Sequence, residues 1–287
     1  MNFLSVVWNP SEGIDLGFFV VRWYSLMFVA AFILGLRLMK KIYIEDKIDP
    51  AKLDTLFVYT FVSMLIGMRL GEVFFYNWDH YQNNLLEIIL PFRENPAETT
   101  LFGMLEGWEF VGYRGFASHG AAIGIIIAMY FYSKKHLQKS LLFILDRLVI
   151  VSALGACFVR LGNFFNSEIF GKETASGFGV IFKAAGETVP RHPTQLYEAF
   201  SYLILFIILW RLYWKTDKKL KEGYLFGIFM IGLWALRLVI EFLKEAQIDG
   251  REDWVFNSLN TGQVLSIPLI LIGFYFVLRK NKNRPSA

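Results

Sequence analysis

The chain is short of the residues that most often reveal chemistry. It has a single cysteine, Cys157, so it forms no internal disulfide and no multi-cysteine metal site. Its 4 histidines show no His-x-x-x-His spacing and no acidic cluster joins them, so no bound metal is expected. Charge is scarce too, at 19% of the 287 residues, against about a quarter in an ordinary soluble domain. No fixed-period repeat recurs, which counts against transporters built from inverted repeats. Apolar surface is abundant: 55% of residues are hydrophobic and 17% aromatic, with a mean hydropathy of +0.43. The apolar residues fall in runs of about twenty, the length that crosses a ~30 Å hydrocarbon core as a helix. A soluble enzyme, a disulfide-stapled secreted domain and a disordered chain are excluded. The pattern is that of an all-α polytopic membrane protein.

Seven spans are read, at 18–36, 53–76, 116–133, 142–163, 195–214, 223–243 and 262–278. Arg22, Arg69, Arg147, Arg160 and Arg237 lie inside them. Seventeen of the 29 Lys and Arg fall on one side, in the connections after spans one, three and five and in the tail, counting Arg211 at the end of span five. The positive-inside rule makes that side cytoplasmic, with the N-terminus outside and the C-terminus inside. The formal net charge of +4 is then an anchor against the cytoplasmic leaflet, and no nucleic-acid partner is expected. The first seventeen residues contain no Lys or Arg and no cleavage site follows, so an uncleaved first helix is expected.

The external connections are the elaborate ones. Residues 77–115 carry an amphipathic patch at Leu85–Phe92 with Trp78, Trp108 and Tyr113, an arm suited to the headgroup region. Residues 164–194 form a small head rich in glycine, in which Val180-Ile181-Phe182 reads as a short strand. Both lie outside, which points the chemistry to that face. His80 and His136 read as solvated loop residues.

Charges within the spans cost roughly 2.5–3.5 kcal/mol each on insertion scales, so they are functional candidates or paired structural groups. Arg160 and Asn163 share a helix face beside Gly162, and Asn166 and Glu168 continue the polar run. A guanidinium there suits a phosphate, or it pairs with a carboxylate. Arg237 and Glu241 are four apart and either pair with each other or present Arg237 to a ligand. Arg69 and Glu72 repeat the ambiguity, with the structural reading favoured. His119, among small residues, is the side chain whose ordinary pKa suits proton transfer near neutrality, or is simply hydrogen-bonded. His192 follows the same two readings at the entry to span five. Tyr24, beside Arg22 and Trp23, is either part of an interfacial aromatic belt or a donor to a headgroup. Cys157 reads as a small core residue.

Several of these strings together resemble the bacterial phosphatidylglycerol–prolipoprotein diacylglyceryl transferases. Arg160, Asn163, Phe164, Asn166, Glu168 and Gly171 are similar to that family's G-R-x-x-N-F-x-N-x-E-x-x-G, and His119-Gly120 with Gly124 to its H-G-G-x-x-G. Arg191–Glu198 resembles R-H-P-S/T-Q-L-Y-E, Arg237–Phe242 resembles R-x-x-x-E-F, and Gly262–Ser266 resembles G-Q-x-L-S. The resemblance spans residues 22–268. Ala121, Val159, Leu233, Lys244 and Glu72 depart from the pattern.

The resemblance implies transfer of a diacylglyceryl group from phosphatidylglycerol to the lipobox cysteine of a prolipoprotein, releasing glycerol phosphate. It implies a multi-pass protein of the bacterial inner membrane whose active site faces outward, needing no cofactor and expected to be monomeric. His119, Arg160 and Arg237 become the catalytic candidates. Arg160, Asn163, Tyr24, Arg237, Glu241 and Gly171 become lipid-binding candidates, with Glu168, His192 and Asn166 in support. A transporter for an anionic small molecule is the alternative reading. A seven-helix receptor is a third, although a retinal protein is excluded because no lysine lies in any span.

Overall fold

The computed structural model describes residues 6–17, 19–100, 105–110, 117–244 and 259–280. In chain order the elements are β1 (Val6–Trp8), β2 (Gly13–Asp15), β3 (Val20–Arg22), α1 (Trp23–Glu45), α2 (Lys52–Phe75), α3 (Trp78–Tyr81), α4 (Leu85–Ile89), β4 (Phe92–Thr100) and β5 (Leu105–Phe110). They continue with α5 (Ser118–Tyr132), α6 (Leu141–Phe165), β6 (Val180–Phe182), α7 (Thr194–Lys215), α8 (Tyr224–Ile240) and α9 (Thr261–Leu278). The protein is mostly helical with a few short strands. The helices Lys52–Phe75, Leu141–Phe165, Thr194–Lys215 and Tyr224–Leu243 are long and apolar enough to cross a membrane, and Gly262–Leu278 is a shorter apolar helix. Two compact units divide the chain: Met1–Lys47 with Leu142–Ala287, and Ile48–Leu141.

In the first unit, polar side chains organise the helix ends that the charge pattern assigns to the cytoplasmic side. Asp146, fully buried, accepts from the backbone N–H of Gly223 at 2.6 Å and of Phe226 at 2.8 Å. It caps α8 from a neighbouring helix, satisfying donors that a helix start otherwise leaves orphaned. Gly223 enters that turn at φ +85°, a region costly for residues with a Cβ. One residue on, Arg147 pairs with Asp46 through Nε at 2.8 Å and lies over the Phe143 ring at 3.7 Å. This span arginine is structural. The start of α9, which the same charge pattern assigns to the opposite side, is a capping box. Asn260 Oδ1 accepts from Gln263 N, and Gln263 Oε1 accepts from Asn260 N.

At the other end, the head is stitched in by backbone pairing. Strand β6 pairs in parallel with β1, and Val180 also bridges to Arg191. The expected strand at Val180–Phe182 is therefore present. Trp8 donates its indole N–H to the Phe164 carbonyl at 2.9 Å and packs on that ring.

The second unit rests on a close approach between α2 and α5. Gly67 and Gly71 on α2 meet Gly120 and Gly124 on α5. A Cβ built on Gly120 would lie 2.7 Å from the Gly71 Cα, and one on Gly71 would lie 2.8 Å from the Gly120 Cα. Small residues four apart let helix backbones touch where lipid gives no hydrophobic drive for association. Gly120→Val should therefore destabilise the folded protein by about 1–3 kcal/mol, the usual cost of overpacking. A thermal-unfolding comparison in detergent checks this, and an unchanged Tm would contradict it.

The arm differs from a single amphipathic stretch. Pro91 lacks an amide donor and holds Leu90 extended at ψ 141°, so α4 stops after one turn and the chain turns into the antiparallel ribbon β4–β5. The apolar side chains of Leu85, Leu86 and Ile89 are exposed while Glu87 is buried. Arg69 Nε donates to the Ile88 carbonyl at 3.1 Å, and a second Arg69 nitrogen reaches the Glu87 carbonyl. Arg69 therefore anchors the arm, in keeping with the structural reading. His80 is exposed as expected, although Glu87 holds its ring at 2.7 Å, whereas His136 is half-buried and stacks on Tyr132 at 5.5 Å between ring centroids, unlike the solvated residue expected. Tyr113 and most of the last external loop lie outside the described residues.

Helix ends match the expected spans within two or three residues, with two exceptions. Span one begins as strand β3 and becomes helix only at Trp23, then runs to Glu45 rather than 36. The basic residues from Arg37 onward continue one helix past the apolar run instead of starting a loop. Span six ends its α-helix at Ile240 and tightens to a 3-10 turn at Glu241–Leu243.

Candidate active site

The polar residues of the first unit converge where α6, α7 and α8 reach the head. Arg160, five residues before the end of α6, ion-pairs through Nε with Glu198 Oε2 at 2.8 Å and donates from Nη1 to Asn163 Oδ1 at 3.2 Å. Asn163 passes the chain on, donating Nδ2 to Glu168 Oε1 at 2.7 Å, and Asn166 reaches the same oxygen at 3.4 Å. The i, i+3 face read from the sequence is thus a hydrogen-bonded chain. Tyr24 on α1 joins it through Asn163. Gly162 makes room for that ring: a Cβ there would lie 2.7 Å from Tyr24 Cδ2.

Glu198 is the hub that the sequence reading passed over. It is fully buried on α7 and receives Arg160 on one oxygen and Lys244 Nζ on the other at 2.9 Å. A lone carboxylate in an otherwise apolar span was the available signal. Lys244, just past α8, has its pKa lowered by burial first, with Arg160 pushing the same way and Glu198 opposing. Tyr202, one turn beyond Glu198, is a second unanticipated member. It is buried beside Ala199, within electrostatic reach of Glu198, Arg160 and Arg237. Cys157 packs against Ala199 and Tyr202 as a core residue, with Leu233 alongside.

Arg237 and Glu241 are not an ion pair. Glu241 keeps the α-helical register, its backbone N–H bonding the Arg237 carbonyl, but the two side chains turn to different neighbours. Arg237 Nε and Glu241 Oε2 are buried and have no hydrogen-bond partner among the described residues. The Arg237 guanidinium lies 5.5 Å from the Trp234 ring centroid. Glu241 faces the start of α9, its Oε1 being 3.3 Å from where a Gly262 Cβ would stand. Orphaned buried polar groups are costly, and a donor of this kind is suited to a ligand.

Gly171 and His192 form the floor. The Gly171 N–H donates to the His192 carbonyl at 2.8 Å, and a Cβ at Gly171 would crowd Thr194 Cγ2 at 2.8 Å and His192 Cβ at 2.9 Å. His192 Nδ1 meets the Tyr197 hydroxyl at 3.3 Å. Gln195 Nε2 holds the Glu168 carbonyl at 2.7 Å. His119 belongs to the second unit, half-buried in the first turn of α5. Arg22 is exposed, 3.9 Å from Glu12, and stands apart from this network.

Chemically, the arrangement is a guanidinium clamped on one side and open on another. Glu198 ion-pairs with Arg160 Nε and Asn163 accepts from Nη1, out of the five N–H donors that any arginine carries. The remaining donors suit a planar or tetrahedral oxyanion. Among the described residues there is no cluster of three or more His, Cys, Asp or Glu that could hold a metal.

Known proteins are similar to this chain in sequence across nearly its whole length. The profile of the prolipoprotein diacylglyceryl transferase family matches residues 12–279. A phosphatidylglycerol–prolipoprotein diacylglyceryl transferase of Bacteroides fragilis is 38% identical over 282 residues, covering 98% of this chain and 97% of its own. Proteins of the same name from Tolumonas auensis and Rickettsia typhi are 36% and 35% identical. They cover 96% and 93% of this chain, and 98% and 95% of their own lengths. The chain belongs to the prolipoprotein diacylglyceryl transferase family.

Proposed function

We propose that this chain transfers the diacylglyceryl group of phosphatidylglycerol to the cysteine thiol of a prolipoprotein lipobox. The thiol sulfur forms a bond to the terminal glycerol carbon of the diacylglyceryl group. The carbon–oxygen bond to phosphate breaks, and glycerol phosphate leaves with the electron pair. Family membership supports this reading and sets aside the transporter and receptor alternatives. The observation that carries it is Arg160, held by Glu198 and Asn163 in a helical bundle with donors to spare for a lipid phosphate.

In this reading Arg160 and Arg237 bind the phosphate and stabilise the charge that grows as the carbon–oxygen bond breaks, where a low dielectric magnifies fixed donors. Tyr24 and Asn163 position the headgroup, and Glu168 holds Asn163 in place. Glu198 orients Arg160, and Glu241 lies at the Arg237 end of α8. Gly171, Asn166 and His192 keep the floor in shape. His119 is proposed as the base that takes the thiol proton, since a thiol near pKa 8.5 is mostly protonated at neutral pH. Nucleophile and leaving group both belong to substrates, so no cofactor is required.

The same proposal covers the setting: one membrane-embedded domain over residues 1–287, seven spans, N-terminus outside and C-terminus cytoplasmic, in the bacterial inner membrane. The active site faces outward, and the protein works as a monomer without a nucleic-acid partner. Incubating the purified protein with phosphatidylglycerol and a lipobox peptide should raise the peptide mass by one diacylglyceryl group. An unmodified peptide with a folded protein would overturn the assignment.

Two variants probe the positioning of these groups. Gly162→Ala places a methyl against the Tyr24 ring. The rate should fall about tenfold or more while Tm changes little, because displacing a positioning group by ~1 Å costs catalysis steeply. An unchanged rate would remove Tyr24 from the site. Lys244→Arg tests the lowered lysine pKa. Burial makes Lys244 lose its proton below the ordinary lysine value, so its charge on Glu198 fades as pH rises. An arginine stays charged. The alkaline limb of the pH–rate profile should therefore move to higher pH in the variant, and coincident limbs would contradict the role of Lys244.

A further inference from the structure

Helix α1 carries a second concentration of cations far from the site. Arg37, Lys40 and Lys41 lie 13 to 17 residues beyond Tyr24, about 20–25 Å along a helix. Arg37 and Lys41 are four apart, Arg37 and Lys40 three, so they share one face with Leu34 and Leu38. That face opens on a groove of about 530 Å³ whose walls are almost wholly apolar, completed by Leu154 of α6 and Phe206 of α7. Gly35 faces Val151 across the α1–α6 contact, its built Cβ 3.9 Å from the valine Cβ.

The nearest acids on α1 and its end are already taken. Glu45 pairs with Lys219 at 2.6 Å and Asp46 with Arg147 at 2.8 Å. Among the described residues, none of Arg37, Lys40 and Lys41 enters an ion pair. All three are exposed. Cations at the end of a span follow from topology alone, but an apolar groove running down beside them between three helices does not.

We propose that this groove is a binding site for an anionic phospholipid of the leaflet on the basic side, separate from the site at Arg160. One acyl chain lies along Leu34, Leu38, Leu154 and Phe206, and the phosphate is held by Arg37, Lys40 and Lys41. Charge complementarity selects the occupant: basic pockets between helices on that side suit anionic headgroups. The apolar walls select a lipid over a free phosphate, and their position along the span makes lipid the surrounding solvent.

The test uses the full chain purified in detergent, with phosphatidylserine as the anionic probe, because it is not the proposed donor, and phosphatidylcholine of the same chains for comparison. Native mass spectrometry should show one phosphatidylserine retained at concentrations where phosphatidylcholine is not. Millimolar inorganic phosphate should not displace it. The variant R37Q/K40Q/K41Q should weaken phosphatidylserine retention about tenfold while diacylglyceryl transfer stays near the parent rate. Leu154→Trp, which fills the groove and leaves the charges, should weaken it as well, and serves if the triple variant misfolds. Arg160→Ala should retain the lipid unchanged. Equal retention of the two lipids, displacement by phosphate, undiminished retention in either groove variant, or loss in Arg160→Ala would overturn the proposal.

Discussion

Replacing Arg160 with alanine should abolish measurable transfer, lowering the rate by at least about a hundred- to a thousand-fold, the usual cost of removing one fixed electrostatic stabiliser. The expectation rests on what holds this side chain. Its Nε is fixed by the fully buried Glu198 and one Nη by Asn163, so the remaining donors are oriented before any lipid arrives. Preorganised donors cost no reorientation when charge develops on the leaving phosphate. Arg160→Lys should recover little, because a single ammonium cannot keep both protein contacts and still present a fork. Membrane insertion and the spectroscopic signature of helix should be unchanged in both variants. A rate within threefold of the parent in Arg160→Ala would remove this residue from the centre of the site.

Glu198→Gln should damage both stability and rate. The substitution keeps shape but leaves the partly buried cations Arg160 and Lys244 without their shared counter-charge. Breaking a buried pair from one side typically costs about 3–5 kcal/mol, because the orphaned charge remains desolvated. The unfolding temperature should therefore fall by several degrees, and transfer should fall at least tenfold. A second substitution separates the two effects. Adding Lys244→Met removes one orphaned cation, so the double variant should regain part of the lost Tm. It should regain none of the lost rate, since Arg160 is still unheld. That non-additivity is the signature of a coupled pair. Purely additive Tm changes would contradict the bridge.

How much of this was legible in the sequence depends on the range over which each feature is determined. The ends of α2, α6, α7 and α9 coincide with the apolar runs because charge and hydropathy change together there. Helix α1 outruns its apolar stretch, because a helix need not end where the bilayer does. Within the site, Arg160 with Asn163 was visible because three residues on one helix face is a local relation. Glu198 reaches Arg160 only through the packing of α7 on α6, so spacing along the chain could not reveal the pair. The Arg237–Glu241 pair was a local expectation that failed although the helix keeps its register, because the Glu241 carboxylate turns to the start of α9, a contact set by packing. His136 departs from its solvated reading for the same reason that Glu198 was missed. Its partner, Tyr132, is set by ring packing rather than by a repeating pattern.

The central claim is that a thiol displaces glycerol phosphate from a lipid held at Arg160. It is tested most directly by counting both products of one reaction. Purified protein is mixed with phosphatidylglycerol labelled in its headgroup glycerol and with a lipobox peptide. Released glycerol phosphate and thioether-linked peptide are then quantified together. The account predicts one glycerol phosphate per modified peptide, neither product when serine replaces the lipobox cysteine, and neither with Arg160→Ala. Glycerol phosphate released without a cysteine acceptor, or no product from a folded sample, would contradict it.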